Sequence, residues 1–212
     1  METTVRIRFP GERSGRPGTA RQAGYSLIEI LLVVGVIAVV AAIAIPMTGN
    51  TLGNFRLSGD ARTLSNTTTL AKMRAASAFN KSRLYVDLPG RNYHLEVWQK
   101  APTSAWAWEG GQIDLSFGVS FSFGALAAAP PNTQATIAQA PACLAADGTA
   151  IANTACILFN SRGIPVDGTD APTGIDAMYV TDGTAVYGVT VSATGLIRLW
   201  RSRPTTANWA QQ

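Results

Sequence analysis

The hydrophobic pattern of this chain changes period twice. From Ile30 to Ile45 it reads ILLVVGVIAVVAAIAI, with no polar side chain at all. Extended back to Tyr25, the run contains one charge, Glu29. At about 1.5 Å per residue such a helix is roughly 31 Å long, enough to cross a bilayer core. Beyond Pro46, Gly49 and Gly53, which are expected to loosen the helix, apolar and small residues recur at spacings of three and four. They are Leu57, Ala61, Leu64, Thr68, Ala71, Ala75 and Phe79. That is an amphipathic stripe suited to packing on a sheet, and it predicts one helix from Tyr25 to about Asn80.

After residue 80 the period falls to two. Arg83–Leu88 and Asn92–Gln99 flank Pro89-Gly90-Arg91, which predicts a hairpin. Ile113–Phe123 is β-prone, with a bend or bulge expected at Gly118. Cys156–Asn160, Met178–Thr181, Ala185–Ser192 and Gly195–Arg201 read as further short strands, with turns at Asp182-Gly183 and Ala193-Thr194-Gly195. Residues 125–155, rich in Ala, Pro and Thr, read as a long surface loop. One long helix followed by antiparallel strands is an α+β plan.

Charge sharpens this picture. The 212 residues carry a net +4, and residues 1–24 hold five arginines against two glutamates, while the remainder carries only +1. Charged residues are 14% of the chain, against about 25% in an average soluble domain. An arginine-rich stub before an apolar run keeps the stub cytoplasmic and sends the C-terminal part across the membrane. A cleavable secretory signal fits poorly, because the apolar run is too long and contains a glutamate. A plain anchor explains the length but not Glu29. A buried soluble helix does not explain the all-round apolarity.

Glu29 is the informative residue, since a carboxylate at membrane depth costs about 2.5–3.5 kcal/mol on insertion scales. It needs a cation, and cleavage before Tyr25 would create one, a new α-amino group four residues away. Gly24-Tyr25-Ser26-Leu27-Ile28-Glu29, with the apolar helix and Pro46, resembles the class III signal of type IV pilins and type II secretion pseudopilins. The resemblance implies that a prepilin peptidase cuts between Gly24 and Tyr25 and methylates the Tyr25 amine. It implies that Glu29 and Pro46 serve filament assembly. It divides the chain into a cytoplasmic leader 1–24, a transmembrane and filament-core helix 25–46, and a periplasmic pilin-like domain 47–212.

The segments AKMRAASAFNKSRLYV, ILFNSRGIPV and VTVSATGLIRLWR are similar to the H-type minor pseudopilins and the FimT/FimU-type minor pilins. The implied fold is the pilin fold, a long helix packed on antiparallel sheet. The implied role is a structural subunit near the tip of a type II secretion pseudopilus, with a type IV pilus minor pilin as the alternative. Its partners would be prepilin peptidase, other minor and major pilins or pseudopilins, the inner membrane and its assembly platform.

Other chemistry is sparse. Cys143 and Cys156, 13 positions apart, could form a disulfide in an exported domain, worth about 3 kcal/mol, or remain free thiols. Three Asp-Gly-Thr copies, at Asp147, Asp167 and Asp182, suit turns better than calcium, since none has the ligand density of a calcium loop. The lone histidine, His94, is expected at a surface or edge and has no nucleophile to serve. No catalytic motif, cofactor or metal site is read. Near the C-terminus, Arg198, Arg201 and Arg203, with Trp200 and Trp209, are the residues that could contact DNA. DNA-uptake pilins carry Gly-Arg-x-Arg here, and Leu196 stands where the first arginine is needed. Strand alternation also separates Arg198 from Arg201, which favours an edge strand with guarding charges over a DNA site.

Overall fold

A computed structural model describes residues 24–100, 102 and 104–212, with the side chains of residues 45–51 left undescribed. The chain divides into two compact units, the first ending at Ile45 and the second beginning at Pro46. The helix α1 is assigned over Leu27–Ser77, and the assignment carries through Pro46, Gly49 and Gly53, where loosening was expected.

Within the second unit the predicted stripe on α1 is the spine of the core. Leu57, Ala61, Leu64, Thr68, Ala71 and Ala75 are all fully buried. Thr68 joins them because its hydroxyl donates to the Leu64 carbonyl at 2.7 Å, which satisfies it inside the helix. Phe79 departs from expectation and is exposed. The helix ends two residues earlier in a Schellman motif, with the Asn80 amide donating to the Ala75 carbonyl and the Phe79 amide to the Ala76 carbonyl. Phe79 sits at the left-handed position of that cap (φ 48°), which turns it away from the stripe.

Among the described residues ten strands follow: β1 (Ser82–Asp87), β2 (Asn92–Gln99), β3 (Ala105–Asp114), β4 (Ser120–Phe121), β5 (Thr154–Phe159), β6 (Pro165–Val166), β7 (Asp176–Thr181), β8 (Val186–Val191), β9 (Ile197–Ser202) and β10 (Ala210–Gln211). They form two five-stranded sheets, ordered β3-β2-β1-β5-β6 and β10-β9-β8-β7-β4, and every pairing is antiparallel. The α+β plan holds, built as two sheets. Alternate residues of both, such as Leu84, Val86, Ile157, Phe159, Met178 and Val189, join the helix stripe in one buried cluster.

Three sequence expectations are corrected. The β-prone stretch Ile113–Phe123 is not one strand. Its first two residues close β3, residues 120–121 form β4, and Gly118 (φ 87°) lies in the turn between them. The bulk of β3 was hidden by Gly110-Gly111, and the pairing of β2 with β3 shifts register between Tyr93 and Leu95, opposite those glycines. The segment 125–155 is not simply a surface loop. Leu126 and Ile137 are buried with Ala177, Tyr179 and Val186, so this segment covers the second face of the β7–β8 sheet. The Gln139 amide pairs with the Tyr179 backbone in both directions and so substitutes for a strand partner. His94 is buried, not at a surface or edge, because its ring stacks between Tyr85 (4.7 Å) and Trp108 (3.8 Å).

Gly195 occupies a position only glycine fits. Its φ is +74°, and a Cβ there would lie 2.3 Å from the Gly163 carbonyl oxygen.

Candidate functional site

The N-terminal unit presents the reactive segment in a simple geometry. Residues Gly24, Tyr25 and Ser26 precede the helix and are exposed, and Tyr25 is 80% accessible. The Gly24–Tyr25 peptide bond therefore lies in non-helical chain, the form a peptidase active site can accept. Ser26 starts the helix, its carbonyl accepting from the Glu29 and Ile30 amides at 3.0 and 3.2 Å. Glu29 consequently falls in the first turn, where the positive end of the helix dipole favours a carboxylate. It is exposed, as are the aliphatic residues around it.

From Leu27 to Ala44 the helix has a mean hydropathy of 3.0, and none of this window is buried. By length and composition it can cross a membrane. An all-round apolar helix with no protein cover needs lipid or the helices of other subunits. The leader residues 1–23 and the Pro46 side chain lie outside the described residues.

Cys143 and Cys156 form a disulfide, with Cα atoms 4.9 Å apart. It fastens the end of the covering segment to β5. The fastening is reinforced by the Cys143 amide donating to Thr154 Oγ1 at 3.0 Å and the Cys156 amide to the Pro141 carbonyl at 2.8 Å. Replacing both cysteines by serine is expected to lower unfolding stability by about 3 kcal/mol. Denaturant titration of the wild type and the double variant, each with the same N-terminal unit, measures this.

The three Asp-Gly-Thr copies are turns. In each, one carboxylate oxygen accepts from the threonine amide and hydroxyl two residues on, at 2.6–2.9 Å. The threonine hydroxyl bonds at Asp147 and Asp167 hold those carboxyls below the usual range. At Asp182 burial pushes upward, but the bonds from Thr184 and Ala185 outweigh it. Among the described residues no group of three or more His, Cys, Asp or Glu is placed to hold a metal.

The arginines of the C-terminal strand are divided. Arg198 pairs across to Thr190, whereas Arg201 pairs to Tyr187 and places its guanidinium 5.9 Å from that ring. Arg201 and Arg203 line one shallow pocket of about 320 Å³ with Thr184, Asn208 and Gln212. Strand β9 is covered on its outer side only by the two residues of β10. The two tryptophans are not available for stacking on bases. Trp200 is buried with its indole donating to Thr190 Oγ1 at 2.9 Å, and Trp209 packs on Tyr179 and donates to the Ala128 carbonyl.

Comparison with known proteins bears on the first of these regions. Residues 19–45 match the family described as the prokaryotic N-terminal methylation motif, which spans Gly24, Tyr25, Glu29 and the whole of the apolar run. Two solved structures of the minor pseudopilin EpsH from the type II secretion system of Vibrio cholerae are similar in fold. One is 13% identical with a TM-score of 0.44, covering 71% of this chain and 99% of that one. The other is 14% identical with a TM-score of 0.41, covering 68% and 92%. No curated protein sequence matches the chain at a significant level.

Proposed function

We propose that this chain is a minor pseudopilin, a non-enzymatic filament subunit of a type II protein secretion system. The observation that carries the reading is the methylation motif at residues 19–45 on an exposed apolar helix, with Glu29 in its first turn. In this reading prepilin peptidase removes residues 1–24 and methylates Tyr25. The subunit waits in the inner membrane with its C-terminal unit in the periplasm. It then moves sideways through the assembly platform into the pseudopilus, near the tip with other minor subunits. Lipid around the apolar helix is replaced by neighbouring helices. Pro46, which lacks an amide hydrogen, sits where the helix leaves the apolar zone.

Glu29 supplies register. A carboxylate in a helix bundle is stable only against a cation, and the α-amino group at Tyr25 of the same or an adjacent subunit is of the right charge and depth. Misplacing the subunit by one helical turn would leave both charges unpaired.

A minor pilin of a type IV pilus, with a role in DNA uptake, is the second reading. It is favoured by one observation, the shared pocket of Arg201 and Arg203 beside a thinly covered strand. It expects duplex DNA to bind with strong salt dependence and binding to fall when Arg198 and Arg201 are both replaced by alanine. Deleting the gene separates the two readings. Loss of extracellular enzyme secretion with pili intact supports the pseudopilin. Normal secretion with failed motility or transformation supports the pilin.

A further inference from the structure

The outer face of the β1–β2–β3 sheet carries a cleft of about 360 Å³ that none of the chemistry above uses. Its floor is Trp98 and Trp106, whose rings meet edge to face at 5.1 Å, with Leu158 and Val166 beside them. One wall is the segment tied down by the Cys143–Cys156 disulfide, and Leu144 packs so closely on Gly168 that a Cβ there would clash with it. Asp167 and Asp176 also line the cleft.

The charges in this cleft do not balance. Lys81 is held by Asp170 at 2.6 Å. Arg83 is buried, donates to Glu96 and to the Leu144 carbonyl at 2.5 Å each, and lies over the Trp106 ring at 4.0 Å. Both cations are thus engaged by acids other than Asp167 and Asp176. Asp176 is 4% exposed and accepts from the Thr173 hydroxyl at 2.5 Å, and among the described residues no Lys, Arg or His pairs with it or with Asp167. A buried carboxylate at the end of an aromatic and aliphatic trough is complementary to one kind of group, a cation on a long apolar stem.

We propose that this cleft receives a lysine or arginine side chain of a partner protein, with Asp176 and Asp167 meeting the cationic head and Trp98 and Trp106 the stem. This site goes beyond the assembly role of the N-terminal helix and does not depend on it.

The test uses the full chain in detergent micelles and follows the indole N–H resonances of Trp98 and Trp106 by NMR. The probes are the capped pentapeptide acetyl-Ala-Ala-Arg-Ala-Ala-amide, its neutral citrulline counterpart, and agmatine, which has the head and stem without a peptide backbone. Saturable shifts are expected with the arginine peptide, weaker by about ten-fold or more with citrulline and in Asp176→Asn. Agmatine, which carries the same head and stem with a second cation at its far end, is expected to compete with the peptide. A second measurement needs no variant. Burial, and then the neighbouring charge of Asp167, push the Asp176 carboxyl up. Peptide affinity should therefore fall on acidification before ordinary carboxylates titrate. No saturable shift with the arginine peptide overturns the proposal. So does equal binding of citrulline, an affinity unchanged by Asp176→Asn and by acid, or a failure of agmatine to compete with the peptide.

Discussion

Replacing Glu29 by alanine leaves the chain cleaved at Gly24 and lowers its recovery in assembled filaments by about ten-fold or more. The two halves of this expectation have different causes. In the proposed function cleavage acts on the exposed, non-helical Gly24–Tyr25 bond, and the helix starts through the Ser26 carbonyl, which the substitution does not touch. Alanine is also the strongest helix former, so the first turn survives. Assembly is different, because in the proposed packing the carboxylate is the group that neutralises a subunit's N-terminal amine among apolar helices. Pull-down of partner subunits, with the mutant quantified against wild type, measures the effect. Glu29→Asp should recover part of the loss, since it keeps the charge on a shorter stem. Equal recovery of Glu29→Ala and wild type would remove Glu29 from the mechanism.

The second large effect concerns the globular unit. Leu64→Ala is expected to cost about 2–5 kcal/mol of unfolding stability, whereas Leu70→Ala, on the same helix, should stay within about 0.5 kcal/mol. Leu64 is fully buried in the stripe that faces both sheets, so truncation leaves a void between packed layers. Leu70 is 49% exposed and leaves none. Urea titration of the two variants gives the contrast directly. A similar loss at both positions would mean that the helix stripe is not the spine of this core.

How much of this was legible in the sequence depended on the kind of signal. The apolar run, its single glutamate and the stripe from Leu57 to Ala75 were readable because helical periodicity is local and repeated many times. The stripe failed at Phe79 because the cap is set by backbone geometry, and a phenylalanine in a left-handed cap has no simple sequence mark. The hairpin β1–β2 was readable from its alternation and its Pro-Gly turn. The strand β3 was missed because Gly110-Gly111 interrupt the pattern, although Trp106 and Trp108 alternate with Ala105 and Ala107. Leu126 and Ile137 were passed over as loop residues since two isolated apolar positions among Ala, Pro and Thr carry no period. What buries them is the second face of the other sheet, and that is a tertiary fact.

The candidate site divides in the same way. Gly24, Tyr25 and Glu29 could be picked out because their spacing resembles the class III signal, and all three fall within the matched methylation motif. The cleft beside Trp98 and Trp106 could not. It joins Lys81 and Arg83 from one stretch of chain with Asp167 and Asp176 from two others. The buried pair of Arg83 with Glu96 depends on strand register, which places them directly opposite. His94 misled for the same reason, since only the register shows that it lies between two aromatic rings.

The measurement that tests the central claim most directly is mass spectrometry of the chain recovered from membranes of the organism that makes it. The account predicts an N-terminus at Tyr25 carrying a methyl group on its amine, with residues 1–24 gone. An N-terminus that still includes residues 1–24 would contradict it, and would make the apolar helix a simple anchor for the globular unit.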